Sequence, residues 1–189
     1  LGDDSGGSLT HILSADLIYD DRNNPMFPTS GTRRSLKLEK AGDFAPGISF
    51  TQLTFRGSYF QDLPTIEING EKAQTFGFNL QLGLGVSAPE NYQSEFGGKN
   101  SVRGVKSDVA SNYGFLNSEY RLQLIPGNLY IASFLDSGVR LGKNNSYNFK
   151  NSAGLEINLQ IFGHLRLGAA WALSDDFNYV PSLYFGMGP

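Results

Sequence analysis

The chain of 189 residues carries 18 acidic and 15 basic side chains for a formal net charge of −3, with 23 Gly, 14 Phe, 9 Tyr, one Trp and no Cys. Hydrophobic residues make up 40 % and charged residues 17 %, below the roughly 45–50 % and 25 % of soluble domains, and no basic stripe marks a nucleic-acid binder. The absence of thiols excludes disulfides, cysteine nucleophiles and Cys-ligated metals.

The segment from Leu1 lacks the Lys/Arg-then-apolar pattern of a signal peptide. The first element expected covers 8–19, where Leu13, Ala15 and Leu17 oppose Ser14 and Asp16. A second, 31–41, sets Leu36 and Leu38 against Lys37 and Glu39. In a third, 47–60, Leu53, Phe55, Gly57 and Tyr59 oppose Gln52, Thr54, Arg56 and Ser58. The clearest is 74–87: Phe76, Phe78, Leu80, Leu82, Leu84 and Val86 alternate with Gly77, Asn79, Gln81, Gly83 and Gly85. Period two over this length is a strand pattern that a helix cannot use.

A long polar loop, 88–112, separates these from five further strands. Over 113–124, Leu116, Tyr120, Leu122 and Leu124 oppose Asn117, Glu119, Arg121 and Gln123. A strand over 128–139 follows a short Pro126-Gly127 turn, and 150–161 sets Leu155, Ile157, Leu159 and Ile161 against Glu156, Asn158 and Gln160. After Phe162-Gly163 come 163–173, with Leu165, Leu167, Ala169 and Trp171 on one face, and 181–188, with Leu183, Phe185 and Met187.

Nine strands of about ten residues match the length that crosses a bilayer at a barrel's tilt. No run reaches the roughly 20 apolar residues of a spanning helix. A water-soluble β-sandwich or lipocalin-like barrel alternates in the same way, and parity alone leaves open which face is outside. Glycine and amides on the polar face favour the membrane version. So does the alternation of minimal turns with long connections at 88–112, 140–149 and 174–180, although 20–31 and 61–73 are longer than short-side turns should be. The expected fold is therefore all-β, an antiparallel transmembrane β-barrel. An odd count of nine suggests the C-terminal part of a larger barrel, since bacterial single-chain barrels have even counts.

Arg103 lies in the loop with no acid between 97 and 107. It is either a solvated arginine or one that folds back into the lumen to meet an inward carboxylate, for which parity offers Glu119 and Asp136. Arg suits that role because its fork binds carboxylate bidentately. Gly97, Gly98 and Gly104 permit the turns such a loop needs. Catalytic signatures are absent: there is no G-x-S-x-G, H-E-x-x-H or P-loop, and His11 and His164 fall on different strands. The Asp20-Asp21 and Asp175-Asp176 pairs read as solvated turn residues rather than a cation site. Tyr19, Tyr59, Tyr120, Tyr130, Trp171 and Tyr184 read as an interfacial aromatic girdle.

The run Phe96-Gly97-Gly98-Lys99-Asn100-Ser101-Val102-Arg103-Gly104-Val105, with five strands after it, resembles the sixth external loop of the BamA/TamA superfamily of outer-membrane assembly and translocation barrels. Asp21-Arg22-Asn23-Asn24-Pro25-Met26-Phe27-Pro28-Thr29-Ser30-Gly31 is similar to that family's periplasmic connection three strands earlier. Asn117-Ser118-Glu119-Tyr120-Arg121 and Phe134-Leu135-Asp136-Ser137-Gly138 resemble its two strands after the loop. Val105 stands where the family usually has an aromatic residue, and the chain ends Gly186-Met187-Gly188-Pro189 where many members end on an aromatic one.

The resemblance implies that the nine strands are the eighth to sixteenth of a sixteen-stranded barrel in the bacterial outer membrane, with an organellar outer membrane as the alternative. It implies insertion or translocation of client outer-membrane or secreted polypeptides, contact with outer-membrane lipids, and periplasmic partners reached through upstream domains. No cofactor, nucleic acid or covalent chemistry is implied. A loop latch would comprise Gly97, Gly98, Val102, Arg103, Gly104, Glu119, Asp136 and Gly138. A weakly paired seam strand would carry Leu183, Phe185, Gly186 and Gly188. The alternatives are the barrel anchor or exporter of a patatin-like phospholipase, which an upstream G-x-S-x-G domain would distinguish, and a passive pore.

Overall fold

The computed structural model describes residues 11–42, 48–142, 146–160, 164–173 and 181–188. In chain order its strands are β1 (Ile12–Asp20), β2 (Gly31–Ala41), β3 (Phe50–Ile68), β4 (Glu71–Val86), β5 (Ser94–Phe96), β6 (Asp108–Ala110), β7 (Tyr113–Ile125), β8 (Leu129–Leu141), β9 (Tyr147–Gln160), β10 (His164–Ala172) and β11 (Ser182–Gly188). Nine of them form one antiparallel sheet in the order β1-β2-β3-β4-β7-β8-β9-β10-β11, while β5 and β6 pair separately inside the long loop. Every strand of the large sheet pairs with its neighbour in sequence, an up-and-down meander whose described edges are β1 and β11.

Burial decides which face is outside. Gln52, Thr54, Asn117, Glu119, Arg121, Gln123, Asp136, Ser152, Glu156 and Asn158 are buried, whereas Leu36, Leu38, Leu53, Leu80, Leu82, Leu84, Leu116, Leu135, Leu155, Ile157 and Leu167 are exposed. A water-soluble barrel would reverse this, because exposing an unbroken leucine face to water forfeits the burial that folds it. An apolar exterior around a polar interior is the arrangement of a barrel solvated by lipid. No described helix is long and apolar enough to cross a membrane, and the strands serve that purpose.

Several boundaries differ from the sequence expectation. The 61–73 connection is no loop: β3 and β4 continue through it to a two-residue turn at Asn69 and Gly70, with φ of 54° and 80°. Asn-Gly is the pair that tolerates two consecutive positive φ values in a type I′ hairpin turn. The pairing skips between Leu63 and Glu67, a bulge at Pro64, which has no N–H for the ladder. The 140–149 connection shrinks to 142–146 because β8 and β9 run further than 139 and 150. Smaller differences fall at β7, which ends at Ile125 rather than 124, β8, which starts at Leu129 rather than 128, and β11, which starts at Ser182 rather than 181. Residues 8–10 of the first expected strand, and 161–163 with the Phe162-Gly163 turn, lie outside the described residues. So do 174–180, which hold Asp175-Asp176, and Pro189.

The aromatic girdle also needs correction. Tyr19 and Tyr59 are exposed on the lipid side, but Tyr130 is buried and faces the lumen beside Phe27, and Tyr184 points inward to Glu156. Both sit on the polar parity of their strands, and once burial fixes that face as the inner one the same alternation places them inside.

Candidate functional site: a loop buried in the barrel lumen

The 88–112 loop is ordered by its own short elements. A 3-10 turn at Glu90–Tyr92 leads into the β5–β6 pair, and a compact turn follows in which Gly98 N–H donates to Val105 O (2.9 Å) and Gly97 N–H donates to Ser101 Oγ (3.0 Å). Phe96 and Val102 pack with Ala110, Tyr113 and Phe115 in a small apolar core against the inner wall. Gly138 makes room for it: a Cβ there would lie 2.7 Å from Val102 Cγ2 and 2.9 Å from the Phe96 ring. Gly104, at φ of 78°, presses on β10, where its own Cβ would meet that of Ala170 at 2.6 Å.

This packing delivers Arg103 to the centre of the wall, where it is 2 % exposed. Its Nε and Nη2 donate to Asp136 Oδ2 and Oδ1 at 2.8 and 2.7 Å, and its backbone N–H donates to Oδ2 at 2.9 Å. Nη1 donates to Glu119 Oε1 at 2.8 Å and to Glu156 Oε2 at 3.3 Å. The guanidinium lies over the Phe134 ring, 3.5 Å from its centroid, a cation–π contact strengthened by exclusion of water. Lysine could reproduce neither the fork nor the stacking.

Two more arginines complete the cluster. Arg121 pairs with Glu119 Oε2 at 2.7 Å and Arg166 with Glu156 Oε2 at 2.9 Å. Three guanidiniums thus face three carboxylates, so the buried charges balance, as groups withdrawn from water must. Of the residues named from sequence, Gly97, Gly98, Val102, Arg103, Gly104, Glu119, Asp136 and Gly138 come together here. Leu183, Phe185, Gly186 and Gly188 lie on β11, at the far edge of the sheet.

Sequence reasoning missed Glu156, Arg121, Arg166, Phe134 and Tyr184. All share the inward parity, and the alternation that marked Glu119 and Asp136 marks Glu156 and Arg121 equally. The connection 20–31 was also underestimated. It turns into the lumen from the opposite end, placing Phe27 edge-on to Tyr130 with centroids 5.0 Å apart, while Pro28 O accepts from Arg121 Nη1 at 3.4 Å. Loops from the two ends of the barrel therefore reach one ion cluster.

The three carboxylates are each held by arginine, and among the described residues no group of three or more His, Cys, Asp or Glu is placed to hold a metal ion. His11 immediately precedes β1, and Asp20 is held by Arg22 at 2.8 Å. A re-entrant Gly-Gly/Val-Arg-Gly loop clamped inside a lipid-facing meander agrees with the family comparison, in which the model for the Omp85 superfamily domain matches residues 2–189. The chain belongs to the Omp85 superfamily. It is an antiparallel transmembrane β-barrel of the kind that inserts or translocates proteins at an outer membrane. No curated protein shows a significant match to it.

In this Omp85 chain the turn after β1 is tied by Asp21, which accepts from the Thr32 N–H, Thr32 Oγ1 (2.9 Å) and Tyr19 Oη (2.8 Å). These donors, Thr32 N–H foremost, hold the Asp21 carboxyl below the usual carboxylate range. Its ordering effect is therefore complete above the ordinary value of about 3.9, and is lost as pH falls through the lower folded value. The Thr32 amide resonance is expected to titrate below that ordinary value. A midpoint above it would contradict the assignment.

Proposed function

We propose that the chain is the client-handling half of an outer-membrane insertion or translocation barrel, in which Arg103 latches the 88–112 loop inside the lumen and β11 serves as the seam strand. The observation that carries this reading is the burial of a loop arginine among Asp136, Glu119 and Glu156, three acids on three successive strands of the wall. A loop clamped there stiffens β7, β8 and β9 as a unit, while β11 is short and pairs through the seven positions Ser182–Gly188. Gly186 and Gly188 weaken that ladder, and an edge strand with free backbone groups can accept a client strand by β-augmentation. Outer-membrane lipids and unfolded outer-membrane or secreted polypeptides are the partners this mechanism needs, with periplasmic components recruited by upstream domains. The bacterial outer membrane is its proposed location. A passive pore fits less well, because loops from both ends occupy the lumen.

The test is a cysteine tether locking β11 to the first strand of the full barrel. Client insertion in proteoliposomes should stop when the tether is oxidised and resume on reduction. Undiminished insertion with the tether closed would overturn the seam. Hydrogen exchange should also find the amides of 182–188 less protected than those of 155–160.

A further inference from the structure

Tyr184 reaches across a whole strand. It lies opposite Gly168 of β10, which in turn lies opposite Glu156 of β9, so the phenol spans two strand spacings of about 4.8 Å each. It can do so only because Gly168 has no side chain: a Cβ there would sit 2.2 Å from Tyr184 Cζ. The hydroxyl donates to Glu156 Oε2 at 2.6 Å, the same oxygen that accepts from Arg166 Nη2 at 2.9 Å and from Arg103 Nη1 at 3.3 Å.

Two further contacts tie the loop to the final strand directly. Ser182 Oγ donates to Gly104 O at 3.3 Å, and Lys99 lies over Gly186, its Nζ 3.7 Å from where a Cβ would stand. The loop thus meets β11 directly at 182 and 186, and indirectly at 184, where Tyr184 shares a Glu156 oxygen with Arg103. β11 pairs with β10 over Ser182–Gly188, and these inner contacts add to that ladder a tie to the loop and to β9.

We propose that Tyr184 and Glu156 form the joint by which the loop holds the final strand, so that release of Arg103 and loosening of β11 are one coupled event. The proposal rests on the reading of β11 as the client-facing seam and supplies its control. Tyr184 is a positioning residue: it touches no client but sets whether the seam strand is pinned. Removing its hydroxyl leaves Glu156 paired with two arginines, so the wall keeps its charge balance while the link to β11 is lost.

Hydrogen exchange on the full-length protein in lipid bilayers tests this. Tyr184→Phe should speed exchange about tenfold in 182–188 and also in 98–105, since a hydrogen bond to a charged acceptor shifts an opening equilibrium by at least that much. Arg103→Lys should loosen the same two segments, and the double variant should add little to either. Gly168→Ala, which keeps the phenol but displaces its ring, should give the Tyr184→Phe pattern. The joint is overturned if Tyr184→Phe loosens only 182–188 and Arg103→Lys only 98–105. The cysteine tether separates this from the seam itself. Coupled exchange with tether-insensitive insertion removes the seam and keeps the joint; uncoupled exchange with tether-blocked insertion does the reverse.

Discussion

Arg103→Ala is expected to be the most damaging single substitution in the lumen, costing about 3–5 kcal/mol, the usual penalty for breaking a buried pair by removing one partner. Asp136, fully buried, loses the fork and keeps only the backbone N–H of residue 103 as a donor from the loop, and the cluster is left with three carboxylates facing two guanidiniums. An exposed pair would cost only about 0–1 kcal/mol, so the magnitude itself reports burial. Arg103→Lys should fall between, keeping the charge but losing the bidentate geometry and the Phe134 stacking. Denaturant-dependent folding into lipid vesicles checks the series. A loss under about 1 kcal/mol for Arg103→Ala would place the arginine in solvent.

Leu80→Arg carries the second large effect, about 2–4 kcal/mol if the position lies near the bilayer midplane. Leu80 stands at the centre of the outward row Phe76, Phe78, Leu80, Leu82, Leu84, with Gly57 and Leu116 opposite it on β3 and β7. Arginine there must bring its charge into hydrocarbon or distort the strand to reach the interface. In detergent the same variant should be nearly neutral, because the micelle yields. Equal tolerance of Leu80→Arg in bilayers would remove this face from the lipid.

The sheet and its two faces were legible because a strand's side chains alternate strictly, and one polar or apolar sorting per strand fixes the face for every residue. Parity says nothing of height. Glu119, Asp136 and Glu156 share the inward face, but their convergence depends on register, which places Glu119 beside Gly77 and Phe134, and Glu156 beside Ala132 and Gly168. For that reason Glu119 and Asp136 could be offered as partners of Arg103 while Glu156 passed unnoticed. Tyr130 and Tyr184 were misassigned by residue type: tyrosine is common at bilayer interfaces, yet their parity pointed inward. The β3–β4 hairpin was misjudged on length, although Asn69-Gly70 is among the stronger hairpin signals a sequence offers. The inward turn of 20–31 had no local signature, because Phe27 finds Tyr130 only when β8 is already in place.

The most direct measurement is a nitrogen–carbon distance by solid-state NMR on the full-length protein in lipid bilayers, between the Arg103 guanidinium and the Asp136 carboxyl. With Nε and Nη2 each within 2.8 Å of an Asp136 oxygen, a latched loop gives strong transfer between these labels and a guanidinium slow to exchange with water. Absence of that transfer, with Arg103 protons exchanging as freely as those of a surface arginine, would put the loop outside the barrel and contradict the latch.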